Sequence, residues 1–100
     1  MYYYFEKNKG KWHVKLDGKD KDLLDSFLQV EGASFADLIM DAIQEVKTSR
    51  QKSEFSGNTF SLNLDSNQAL ISDELGEQEI KLTSQDFISI FLFWSRLSRR

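Results

Sequence analysis

The feature that most constrains this chain is a stretch of strict alternation closed off by tight turns. Phe60, Leu62 and Leu64 alternate with Thr59, Ser61 and Asn63, the two-residue period of a strand with one buried face. Turn residues flank it, Ser56-Gly57-Asn58 before and Asp65-Ser66-Asn67 after, and two shorter strand-like segments follow at residues 69 to 72 and 79 to 82. The connections are too short for a crossover, so these segments must form a three-stranded antiparallel meander. A hairpin is expected at the other end of the chain, with residues 2 to 7 and 11 to 16 as strands around a three-residue loop, Asn8-Lys9-Gly10, whose glycine takes the positive φ. That loop sets Lys7 opposite Lys11. It places Tyr2, Tyr4, Trp12, Val14 and Leu16 on the core side and turns Tyr3, Phe5, Lys11, His13 and Lys15 outward.

Helices fill the remainder. Residues 19 to 30 carry Leu23, Leu24, Phe27 and Leu28 at helical spacing, and Gly32 is expected to break the chain before a new start at Ser34, with Asp37 completing a capping-box-like pattern. From Ser34 to about Arg50, one stripe holds Phe35, Leu38, Ile39, Ala42, Ile43 and Val46. A last helix over residues 84 to 98 is announced by Thr83 as N-cap, by Asp86 at the third helical position, and by Leu82 and Phe87 spaced as a hydrophobic staple. Its Phe87, Ile88, Ile90, Phe91, Leu92, Phe93, Trp94 and Leu97 cover more of its circumference than one buried stripe needs, so part of it is a candidate for self-association. The fold class is therefore α+β, an antiparallel sheet packed with two to three helices. A chain of 100 residues builds one core, hence a single domain over residues 1 to 100.

Composition excludes more chemistry than it suggests. With no Cys there is no thiolate nucleophile and no zinc-thiolate site, and a single His leaves a transition metal little but carboxylates. No apolar run of signal-peptide type occurs in residues 1 to 17, and the longest uncharged apolar stretch, residues 87 to 95, is nine residues long, where a membrane span needs about 20. These features point to the cytoplasm and away from a membrane. Net charge by block is +3 over residues 1 to 16, −6 over 17 to 46, +2 over 47 to 56, −5 over 57 to 86 and +3 over 87 to 100. An acidic middle of this kind makes a poor general binder of nucleic acid and suits a basic protein partner.

The constellations agree. His13 is expected on the outward face beside Lys11 and Lys15, with no carboxylate to orient it, so it reads as a solvated strand position and not as a general base. That face, with Tyr3 and Phe5, offers an alternative as a small nucleic-acid platform. Asp17, Asp20, Asp22 and Asp25 lack the spacing, the glycine and the closing glutamate of a calcium loop, and read as a solvated acidic helix start. Asp37, Asp41 and Glu45 recur at i, i+4 and i+8 along one helix line, an arrangement that suits a Lys- and Arg-rich partner. Asp73, Glu74, Glu77 and Glu79 make a second acidic cluster, without a His to pair with it or a fixed carboxylate geometry for hydrolysis. Neither a glycine-rich phosphate loop nor a serine elbow occurs. No catalytic residue, metal ligand or cofactor contact is assigned. The candidate site is partner-binding, through these seven carboxylates.

In order, the aromatic N-terminal hairpin, the capped helix from Ser34, the meander beginning Asn58-Thr59-Phe60-Ser61-Leu62 and the closing helix introduced by Leu82-Thr83-Ser84-Gln85-Asp86-Phe87 resemble small bacterial immunity proteins. These are the antidotes of polymorphic toxin and contact-dependent growth inhibition systems. The resemblance lies in element order and carries no residue over by motif. It implies a cytoplasmic protein without catalysis that binds and blocks the toxic domain of a cognate effector, often a nuclease. Independently, an inhibitor of a nuclease meets a basic, phosphate-binding surface, and a clustered acidic surface steers that encounter. The alternatives are a homodimer built on the last helix and a nucleic-acid binder built on the hairpin.

Overall fold

The first turn of the chain decides the orientation of everything in the hairpin. The computed structural model describes residues 2–17 and 21–99. Its first strands are β1 (Tyr3–Asn8) and β2 (Lys11–Leu16), joined by Lys9 and Gly10 alone. Both joining residues take positive φ, 54° and 80°, as a two-residue type I′ turn requires. Asn8 therefore pairs with Lys11, Glu6 with His13 and Phe5 with Val14. The expected three-residue loop is wrong by one residue, and the slip turns β1 over. Tyr3 and Phe5 pack toward the core with Trp12, Val14 and Leu16, while Tyr2 and Tyr4 are exposed.

A 17-residue helix, α2 (Ala33–Ser49), follows α1 (Lys21–Phe27) without a break. The two are joined by a π-helical turn, Leu28–Gly32, in which the Ala33 N–H donates to the Leu28 carbonyl five residues back. The expected stop at Gly32 and cap at Ser34 are thus absent. Gly32 has helical φ and ψ of −61° and −37° and no side chain caps α2 there; instead the backbone bends at Phe35. The glycine serves close packing, since a Cβ on Gly32 would lie 2.9 Å from Cζ3 of Trp94. The expected helix start at Lys19 and Asp20 lies outside the described residues.

The meander has four strands and not three. They are β3 (Ser53–Ser56), β4 (Phe60–Leu64), β5 (Gln68–Asp73) and β6 (Glu79–Thr83), antiparallel in sequence order and separate from the hairpin sheet. Phe55, Phe60, Leu62, Leu64, Ala69, Ile71 and Leu82 form the buried face. The last helix, α3 (Ser84–Ser98), begins as its sequence predicts, with the Asp86 N–H donating to Thr83 Oγ1 at 3.1 Å. Phe27, fully buried, sets its ring edge-on to Phe55, Phe60 and Phe87 at 6.2 to 6.4 Å, joining α1, the sheet and α3 in one core. No helix among the described residues is long and apolar enough to cross a membrane.

Candidate partner-binding surface

The α2 helix buries Ile39, Ala42, Ile43 and Val46 and leaves the opposite face to solvent. Asp37, Asp41 and Glu45 are all exposed on it, along a line of about 12 Å given the rise of a helix. Among the described residues none of the three has a Lys or Arg within ion-pairing distance, and the one carboxylate with a basic side chain in such reach is Asp25, beside His13. The Glu45 carboxylate accepts a long bond from Ser53 Oγ, at 3.5 Å. Leu38 sits beside this line and is 54% exposed, a correction to its expected place on the buried stripe. The surface is therefore an apolar side chain set among three unneutralised carboxylates, the composition of an anchor with a charged rim.

The second acidic cluster divides on inspection. Asp73 Oδ1 accepts the N–H groups of Glu77 (2.9 Å) and Gln78 (3.2 Å), so this oxygen closes the β5–β6 turn. Glu74, Glu77 and Glu79 are exposed, as is Leu75 at the tip. A chain of contacts ties this turn to the start of α2: Glu31 Oε2 accepts the Thr59 N–H at 2.7 Å, and the Thr59 carbonyl accepts the Glu74 N–H at 2.8 Å. The turn and the Asp37 end of the helix line thus lie at one end of the molecule, while Asp41 and Glu45 run away from it.

Two polar sites escaped the sequence reading. Glu31 is fully buried, and its carboxylate accepts the N–H groups of Asn58 (3.0 Å), Thr59 (2.7 Å) and Phe60 (2.7 Å), folding the β3–β4 turn over it. A Cβ on Gly57 would fall on that carboxylate, which explains the glycine there. His13 is not a solvated strand position. Its Nδ1 lies 2.8 Å from Asp25 Oδ2, both side chains are largely buried, and Asp25 Oδ1 also accepts the Val14 N–H at 3.1 Å. Asp25 therefore leaves the expected solvated acidic series and clamps the hairpin to α1. A His–Asp pair is part of a hydrolytic triad, but no hydroxyl bonds His13 among the described residues, and the pair has the geometry of a fastener. The face of the alternative nucleic-acid reading is not assembled, because Tyr3 and Phe5 pack on the other side of the hairpin from Lys11, His13 and Lys15.

Among the described residues no group of three or more carboxylates and histidines is placed to hold a metal ion. A cleft of about 350 Å³ lies between the hairpin tip and the end of α3, lined by Lys7, Lys11, Trp12, Gln29, Trp94 and Arg99, and none of the acidic residues above reaches it. Comparison of the chain with protein-family models, with curated proteins and with solved structures finds no significant match.

Proposed function

We propose that this chain is a non-catalytic binding protein that takes a basic protein partner on the outer face of α2. One observation carries the reading: Leu38 is 54% exposed beside Asp37, Asp41 and Glu45, and among the described residues none of those carboxylates has a cation of its own. Exposed apolar anchors ringed by charge of one sign suit a partner of the other sign, the charges setting the encounter rate and the anchor the residence time. The resemblance to bacterial immunity proteins supplies the class of partner, the toxic domain of a cognate effector, with a nuclease the best match for an acidic surface. In that role the protein acts in the cytoplasm and requires no cofactor.

The test is affinity capture from the native cell with two baits side by side, the wild-type chain and the Asp37→Lys, Asp41→Lys, Glu45→Lys variant. The wild-type bait should retain a basic protein that the variant releases and that rising salt elutes. Identical retention by both baits would remove the α2 face from the interaction. Self-association is a second reading, favoured by a separate observation: Phe93 of α3 is 52% exposed and stacks on Phe5 at 5.2 Å.

A further inference from the structure

The two-stranded hairpin sheet has two outer edges, and among the described residues only one of them is covered. In an antiparallel pair closed by a two-residue turn, alternate residues face the partner strand. Here the backbone groups of Tyr4, Glu6 and Asn8 face β2, and those of Tyr3, Phe5 and Lys7 face away. The same alternation turns Trp12 and Val14 away from β1, where side chains cover them. The Trp12 carbonyl accepts from Gln29 Nε2 (2.7 Å) and Trp94 Nε1 (2.9 Å), and the Val14 N–H donates to Asp25. The edge of β1 has no such cover: among the described residues no loop or cap bond reaches Tyr3, Phe5 or Lys7 across it. Aromatic side chains crowd this edge on both faces, Tyr2 and Tyr4 on one, and Phe5 with the exposed Phe93 on the other. An unpaired edge with apolar side chains on both faces is a template for another strand.

We propose that β1 pairs antiparallel with β1 of a second copy across a twofold axis at Phe5. The proposal develops the self-association reading and is independent of the acidic face of α2. The sequence of the strand selects the register. An axis at Glu6 would set two glutamates directly opposite each other, which is destabilising. An axis at Tyr4 would leave the end of the strand without a partner. An axis at Phe5 pairs residues 2 to 8 completely, with Tyr3 opposite Lys7 and Tyr4 opposite Glu6 and no like charges opposed. Each outward-facing residue, Tyr3, Phe5 and Lys7, then finds a backbone partner. The two Phe5–Phe93 stacks meet at the axis, as the self-complementary patch of a twofold dimer must.

Sedimentation velocity up to millimolar concentration, with amide hydrogen exchange on the same samples, tests this. A dimer should form with rising concentration, and the amides of Tyr3, Phe5 and Lys7 should gain protection in step with it. Lys7→Pro removes an N–H that the hairpin does not use, at a position where an edge strand tolerates proline, and should weaken the dimer about tenfold or more. If that variant does not fold, the exchange pattern of the wild-type chain decides alone. A chain that stays monomeric, or edge amides protected only when another protein is added, overturns the pairing with a second copy. A dimer whose Tyr3, Phe5 and Lys7 amides exchange as fast as in the monomer keeps self-association and overturns the strand pairing.

Discussion

Glu31 shows what a single residue can fix in this fold. It is a fully buried carboxylate with no cation beside it among the described residues, and three backbone N–H dipoles from residues 58 to 60 take the place of a counter-ion. Glu31→Ala should destabilise the protein by about 1 to 3 kcal/mol in urea denaturation, because the buried Phe60 N–H and the half-buried N–H groups of Asn58 and Thr59 lose their acceptor at once. Gly57→Ala should be costly in the wild-type chain, where the new methyl meets the carboxylate, and mild once Glu31 is alanine. A double-mutant cycle should read a coupling of about 1 to 3 kcal/mol; additive costs would contradict the contact. None of this was legible in the sequence, because the partners of Glu31 lie 27 to 29 positions away and are backbone groups that any residue carries. Asp65 is the local counterpart and was legible, as the first residue of an Asx turn. The N–H groups of Gln68 and Asn67 donate to its Oδ1, both at 2.8 Å, and hold its carboxyl below the ordinary value. A carboxyl lowered in the folded state contributes stability that is present above its unfolded value, about 3.9, and is lost as the pH falls through the lower folded value. Thermal melts down through that acid range should therefore show a shallower loss of stability in Asp65→Asn than in the wild-type chain.

At the scale of the element, existence was easier to read than register. The pattern of Asn8-Lys9-Gly10 fits a three-residue loop as well as a two-residue one, and only the structure shows Lys9 taking φ of 54°. That conformation strains a lysine and suits asparagine, so Lys9→Asn should raise stability by about 1 kcal/mol and leave the pairing unchanged. A loss of stability would mean that the turn is not of this type. The start of α3 was legible because its cap, Thr83 with Asp86, is local. The joint between α1 and α2 was not, since a glycine that breaks a helix and a glycine that admits Trp94 look the same in sequence. Likewise β3 is four residues long, and of its Ser53, Glu54, Phe55 and Ser56 only Phe55 announces a strand. The clamp of His13 on Asp25 was hidden by the register, because the expected pairing had already turned that face to water.

For the whole molecule, the charge pattern is the part of the proposed binding surface that the sequence displays. Residues 17 to 46 and 57 to 86 hold 14 of the 16 acidic groups, and folding puts ten of these to three uses. Glu31, Asp25 and Asp73 hold the structure together, Asp65 caps a turn, and Asp37, Asp41 and Glu45 with Glu74, Glu77 and Glu79 remain at the surface. The helical spacing of Asp37, Asp41 and Glu45 made their common face legible. The exposure of Leu38 was not, because its spacing fits the apolar stripe, while the covering elements bury Ile39, Ala42, Ile43 and Val46 and leave Leu38 outside. If this face receives a basic partner, as proposed, the association rate of the captured partner domain must depend on it. Stopped-flow mixing should show association slowed about tenfold or more by Asp37→Lys, Asp41→Lys, Glu45→Lys, with a smaller effect of Glu74→Lys, Glu77→Lys, Glu79→Lys and a steep decline with ionic strength in the wild-type chain. Association rates that neither triple variant changes, and that salt leaves untouched, would contradict the account.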